Sequence, residues 1–251
     1  MSTAARRLGL ALAAAGFVLT GLIVGSLLAP GGGEARPAVT AAAAHAAAPK
    51  LPPGVSLVAN VRGKRPLAVY RRPGAAHPAR RLATGPAARV YLVRERRPGG
   101  WLRVLLPVRP NGSSGWIRAR RVGLRTNPYR IDVELRAHRL TLRRGARTLL
   151  TTPIGVGHAV TPTPRGLAYV TRLLEQPDPH GIYGPWAFGL SVYSPVLTSF
   201  GGGPGEVGIH GTNDPAGIGR DVSHGCIRLP NAAIERLVHT LPLGTPVFIR
   251  V

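Results

Sequence analysis

The stretch IHGTNDPAGIGRDVSHGCIR, residues 209–228, decides how this chain is read. It holds the only cysteine, Cys226, and two of the eight histidines, His210 and His224. With one cysteine the chain cannot close an internal disulfide, which leaves a free, reactive thiol or intermolecular pairing, and its polar, cationic neighbours favour the reactive thiol. A thiol attacks as its thiolate, which needs a base to form it and an acid to protonate the leaving group. Imidazole does both near neutral pH. His210 ends the apolar alternating run VGIH and is expected at a strand terminus, as the base. His224 lies two residues before Cys226, on the same side of an extended stretch, and is expected to flank the thiol in support. Gly225 permits a sharp turn just before the nucleophile, leaving amide N–H groups to face a developing oxyanion. Gly211 lets the chain pass close to His210, and its carbonyl can orient the imidazole. Arg228 offers a planar fork suited to a carboxylate. Cationic neighbours lower a thiol pKa, so a resting thiolate–imidazolium couple is expected. Asp214 and Asp221 read as turn formers. A zinc site lacks a fourth ligand and the usual ligand spacing, so neither metal nor cofactor is expected.

Working outward, residues 129–251 read as one domain. IDVELRA and RLTLRRG alternate apolar and polar and then turn at Arg144 and Gly145. RTLLTTPIGVG follows as another strand. Further strands are expected at 166–173, 187–192 and 206–210, and TPVFIRV closes the domain. Its clearest helix spans 231–241: Ile234, Leu237, Val238 and Leu241 share one face, and Asn231 is placed to cap it. Strands outnumber helices and no βαβ alternation appears, so a mainly antiparallel β domain is expected.

Upstream, residues 55–124 read as a small all-β domain of short apolar runs parted by Gly/Pro turns. VYRRPG, GGWLRVLL and SSGWIRARRV resemble a bacterial SH3-like barrel, with Trp101 and Trp116 as its marker aromatics. That resemblance implies binding of wall polymer or peptide through an aromatic groove. Residues 30–54 are an Ala/Pro/Gly-rich linker. Residues 8–28 are uncharged and follow Arg6 and Arg7, long enough to span a bilayer. Residues 1–29 are therefore expected to be a signal anchor or a cleaved signal peptide, placing the rest outside the cytoplasm, on the membrane or in the wall. The net charge is +23, nearly all arginine. Scattered arginines without an aromatic single-strand reader do not make a nucleic-acid site, and no nucleic-acid partner is expected.

IHGTNDP…GRDVSHGCIRL resembles the active-site signature of the L,D-transpeptidases, the YkuD-type catalytic domain. The family pattern has a histidine, a spacer, then Ser/Thr-His-Gly-Cys, a hydrophobic residue and Asn/Arg. Here these are His210, Ser223, His224, Gly225, Cys226, Ile227 and Arg228. PIGVG, FGLSVYS and FGGG resemble the family's flanking segments, while TPTPRGLAYV stands where a Thr-Gly-Thr-Phe run is more usual. The resemblance implies a β-sandwich-like catalytic domain with one C-terminal helix. It implies Cys226 as nucleophile, His210 as base, the Gly211 carbonyl as orienter and the Gly225 and Cys226 amides as oxyanion donors. Ser223 and Arg228 would face substrate. That substrate would be a peptidoglycan tetrapeptide stem, cleaved with loss of terminal D-alanine and transferred to an amine of a neighbouring stem. Water as acceptor would make a carboxypeptidase. Other cysteine peptidoglycan hydrolases usually place cysteine before histidine, the reverse of the order here. A non-catalytic wall-binding protein would lack Cys226 or His210.

Overall fold

The computed structural model describes residues 51–85 and 89–251. The export segment expected at residues 1–29, and the linker as far as residue 50, lie outside the described residues. Among the described residues no helix is long and apolar enough to cross a membrane.

The N-terminal part is a five-stranded antiparallel sheet. Its strands are β1 (Ser56–Val61), β4 (Val90–Arg97), β5 (Trp101–Leu105), β6 (Ser114–Arg118) and β7 (Val122–Asn127), in the order β6-β5-β4-β1-β7. A hairpin of β2 (Leu67–Val69) and β3 (Arg80–Leu82) joins through a bridge from Tyr70 to Trp116. Strand β7 runs past Leu124 because its last residues, Thr126 and Asn127, still pair with Leu57 and Ser56 of β1.

Trp101 and Trp116 are 5% and 8% exposed. The Arg118 guanidinium lies 3.6 Å from the Trp101 ring centroid, and Arg97 lies 5.5 Å from that of Trp116. Tyr70 meets Trp101 edge-on. Both tryptophans are thus largely buried, as a core role would have them, with arginines lying against their rings in cation–π contact.

Strand β4 departs from simple alternation. Val90, Tyr91 and Leu92 are all buried in succession. Strict alternation marks a sheet wet on one face, and a continuous buried run marks one covered on both. One face of this sheet packs a core that includes Ala59, Leu67, Val104 and Ile117. The other turns Leu92 and Leu105 onto Tyr169 of the following domain, which is fully buried.

The C-terminal domain is mainly β with a single helix, as expected. Its sandwich-like packing takes the form of one eight-stranded half-barrel sheet. In chain order its strands are β8 (Tyr129–Glu134), β9 (Arg139–Arg144), β10 (Arg147–Pro153), β12 (Gly166–Glu175), β13 (Trp186–Tyr193), β14 (Glu206–His210), β16 (Ile227–Arg228) and β17 (Pro246–Arg250). Their order in the sheet is β10-β9-β8-β17-β12-β13-β14-β16. Two pairs, β17–β8 and β14–β16, are parallel. So is the small sheet of β11 (Val156–Gly157) with β15 (Asp221–Ser223). The β17–β8 pair is parallel because the last strand inserts between β8 and β12, a long-range closure that hairpin signals do not reveal.

Helix α1 covers Asn231–Val238 and buries Ala233, Ile234 and Leu237 against the core formed by Phe188, Ile209 and Leu229. It is shorter than the periodicity predicts. Leu241 N–H still bonds Leu237 O, but Pro242 stops the helix from continuing. Its N-cap is Pro230, not Asn231. The Asn231 amide is used elsewhere, as described below.

The seam between the two sheets passes beside Gly244, whose φ is +87°. A Cβ there would stand 2.5 and 2.9 Å from the two γ-methyls of Val58 and 2.9 Å from Val90 Cγ1. Gly244→Ala thus combines left-handed backbone strain with overpacking of a filled seam. It should cost about 2–4 kcal/mol in urea unfolding. A loss below about 0.5 kcal/mol, the usual range for surface changes, would mean that the seam is not tightly packed.

Candidate active site

Strand β14 delivers His210 to the site. Register pairs it with Ala187 on β13 and with Arg228 on β16, fixing the imidazole between two ladders. His210 is 4% exposed, and its Nδ1 lies 2.6 Å from the Gly211 carbonyl oxygen. A carbonyl only accepts, so Nδ1 carries the proton and Nε2 is left with its lone pair. The ring meets Tyr183 edge-on at 4.9 Å. Burial pushes the His210 pKa down to about 4, with Arg228 adding to the shift and the Gly211 hydrogen bond opposing it.

Cys226 precedes β16, and its Sγ accepts a hydrogen bond from Gly208 N–H at 3.4 Å. Burial pushes its pKa up, aided by the Glu206 carboxylate. The Gly208 hydrogen bond and Arg228 act against that shift without being its leading cause. Both shifts favour uncharged forms. Burial thus favours a thiol and a neutral imidazole over the thiolate–imidazolium couple expected from the cationic neighbours. Desolvation outweighs the single nearby guanidinium.

The turn 223–226 is organised by Ser223, which is 1% exposed. Its hydroxyl donates to the Cys226 carbonyl at 2.6 Å and accepts from Gly225 N–H at 3.1 Å. These bonds need Gly225 at φ +115°, a region side chains avoid. Two expectations change as a result. Ser223 holds the nucleophile's turn together where substrate contact was expected, and the Gly225 amide is engaged within the turn.

The contacts of the His224 ring are with other rings: it lies tilted 5.4 Å from Phe200 and meets His158 edge-on at 5.6 Å. Arg228 lies beside the site with its guanidinium 3.5 Å from Asp214 Oδ2, so the fork expected for substrate already has a carboxylate neighbour. Asp221 pairs with His138 at 2.8 Å. Cys226, His210, Ser223, His224 and Arg228 all line one cleft, walled by Tyr183, Leu197, Phe200 and Glu206. Among the described residues no group of three His, Cys, Asp or Glu is placed to hold a metal.

Three contributors escape a reading of the motif. Asn231 Oδ1 accepts from Thr212 N–H at 2.8 Å and packs against Gly211 and Gly184 so closely that neither could carry a Cβ. It locks the loop whose carbonyl orients His210. Tyr183 is brought in by the turn at Gly184, which adopts φ +61°. Burial and the nearby Cys226 raise the Tyr183 pKa. Glu206 faces the cleft paired with Arg172 at 2.5 Å. Burial raises its pKa against that cation's pull. The signal for Asn231 was visible as a polar residue at a helix start, but N-capping was the commoner explanation.

The depressed His210 pKa has a consequence for stability. The unfolded histidine binds its proton near pH 6.5, the folded one only near 4. Stability associated with the neutral ring is thus complete above pH 6.5 and falls as pH drops toward 4, by about 3 kcal/mol. Urea unfolding of wild type and His210→Gln should diverge in pH dependence across that window. A constant difference between them would show that His210 is not held neutral by burial.

A model of the L,D-transpeptidase catalytic domain, YkuD, matches residues 128–249. A Bacillus licheniformis protein named "Putative L,D-transpeptidase YkuD" is 40% identical over 124 residues, covering 49% of this chain and 67% of that protein. The solved structure of Bd1075 from Bdellovibrio bacteriovorus aligns with 49% of this chain at 24% identity and a TM-score of 0.39. The aligned part is 48% of that chain, about half its length. The catalytic domain of an E. faecium L,D-transpeptidase aligns with 49% of this chain and 96% of its own, at 24% identity and a TM-score of 0.36. Through residues 128–249 the chain belongs to the YkuD family of L,D-transpeptidase catalytic domains.

Proposed function

We propose that the protein is a cysteine-dependent L,D-transpeptidase of the cell wall, exported by its N-terminal segment. The observation that supports this most directly is the convergence of a lone thiol and a tautomer-fixed imidazole in one cleft. In the first step Cys226 Sγ bonds to the carbonyl carbon of the third residue of a tetrapeptide stem as its proton moves to His210 Nε2. The Cys226 amide, at the end of the turn, supports the oxyanion; an amide donor of this kind contributes about 3 kcal/mol. His210 then protonates the departing D-alanine amine, leaving a thioester. An amine of a neighbouring stem attacks, gives its proton to His210, and the thiolate leaves to be reprotonated. The cross-link is formed without redox change or metal. Because burial pushes the His210 pKa down, the ring is unprotonated over the neutral range and free to accept the proton from sulfur.

The test is mass spectrometry of a reaction with a defined tetrapeptide. Support would be an acyl-enzyme at Cys226 that has lost one alanine, followed by a cross-linked dimer. Release of free tripeptide alone would make the enzyme a carboxypeptidase. No adduct and no turnover would overturn the catalytic reading.

A further inference from the structure

Part of the wall of the cleft is formed by residues 194–205, the loop between β13 and β14, through Ser194, Leu197, Phe200 and Gly205. The loop is rich in glycine, and Gly201, Gly202 and Gly205 take positive φ. Its internal ties are few: Ser194 N–H to Gly205 O, a reciprocal pair between Phe200 and Gly203, and the Ser194 hydroxyl receiving Val196 and Leu197 N–H. Such a segment has little reason to hold one conformation on its own.

What holds it comes from the other domain. Arg109 sits between β5 and β6 of the N-terminal sheet. Its Nη1 donates to Ser194 O at 2.7 Å, and its Nη2 to Leu197 O and Pro204 O, each at 2.9 Å. Those three carbonyls come from both halves of the loop, so one planar fork ties its outgoing and returning arms together. The same guanidinium lies 4.9 Å from the Tyr193 ring centroid. Two residues on, Asn111 continues the ladder with its side chain. Its Nδ2 donates to Tyr193 O at 2.7 Å and its Oδ1 accepts from Tyr193 N–H at 2.9 Å. Tyr193 in turn donates its hydroxyl to Pro107 O at 2.9 Å.

We infer that Arg109, supported by Asn111, is a positioning residue for substrate. It reaches from the N-terminal sheet to fix the loop that walls the catalytic cleft, so the first domain completes the second one's substrate site. This rests on the reading of the cleft as the acyl-donor site. It differs from a tethering role for the N-terminal sheet, because it assigns that sheet a specific contribution to the Michaelis complex.

The test uses the full chain with Arg109→Ala, Arg109→Lys and Arg125→Ala. Arg125 also crosses the seam, donating to Leu243 O at 2.6 Å, but ties no part of the cleft loop. Amide hydrogen exchange in residues 194–205 should quicken about tenfold in Arg109→Ala, less in Arg109→Lys, and stay unchanged in Arg125→Ala. The donor-peptide KM should rise by roughly tenfold in Arg109→Ala with kcat within about threefold, since loss of loop order weakens binding more than chemistry. Iodoacetamide, too small to need the loop, should alkylate Cys226 at the wild-type rate. If Arg109→Ala fails to fold, Arg109→Lys carries the comparison. Unchanged exchange in 194–205, an unchanged KM, or an equal effect from Arg125→Ala would overturn the inference. A wild-type protein that turns over no peptide would instead overturn the functional reading, and the exchange comparison would still decide the clamp.

Discussion

Cys226→Ala should take release of the terminal D-amino acid to the uncatalysed background, a loss of about four orders of magnitude or more. No second thiol can substitute, because the sequence has no other cysteine. The fold should survive. Sγ receives one weak hydrogen bond from Gly208 and lines the cleft, while Ile227 and Leu229 just after it are fully buried in the core and left in place. The turn itself depends on the Ser223 hydroxyl and the Cys226 backbone carbonyl, which the substitution leaves in place. Unfolding free energy should therefore change by less than about 1 kcal/mol. The measurements are product formation by mass spectrometry and urea unfolding of the same preparation. Activity in the variant above a tenth of wild type would remove Cys226 as the nucleophile.

His210→Ala should lower turnover by about 10²–10⁴-fold, the usual worth of a general base. The mode of activation is read from alkylation against pH. A neutral resting pair predicts that wild-type Cys226 reacts slowly with iodoacetamide below pH 7, its rate rising only above the ordinary thiol range near 8.5. His210→Ala should leave that alkylation profile in the same high range even as turnover falls. The proton then leaves sulfur during attack on the substrate, and not before. On the acid side, catalysis should persist well below pH 6.5, because His210 is protonated only near pH 4. Fast alkylation of wild type at pH 6 that disappears in His210→Ala would restore the thiolate–imidazolium couple. His224→Ala should cost little of either rate, since its ring contacts Phe200 and His158 at the cleft rim.

The sequence by itself determined the β class, the helix near the C-terminus and the pairing of His210 with Cys226 in one site. These follow from local signals: alternation with period two, an apolar stripe at helical spacing, and reactive residue types flanked by glycine within one short segment. It also carried the Gly211 carbonyl as the partner of His210, because neighbouring residues can meet without any help from the rest of the fold. Tertiary structure decided everything that depends on what covers what. The run Val90, Tyr91, Leu92 was legible as buried, but only the packed structure shows that its second face meets Tyr169. Trp101 and Trp116 carry the same letters whether they line a groove or are buried, and only the folded sheet lays Arg118 and Arg97 against their rings. The charge state of the site followed the same logic. Sequence shows the cations near Cys226, while desolvation, the larger effect, exists only once the chain has folded around the thiol and the imidazole. Asn231 and Arg109 reach their loops across 19 and 85 residues of chain, distances over which no local pattern constrains a contact.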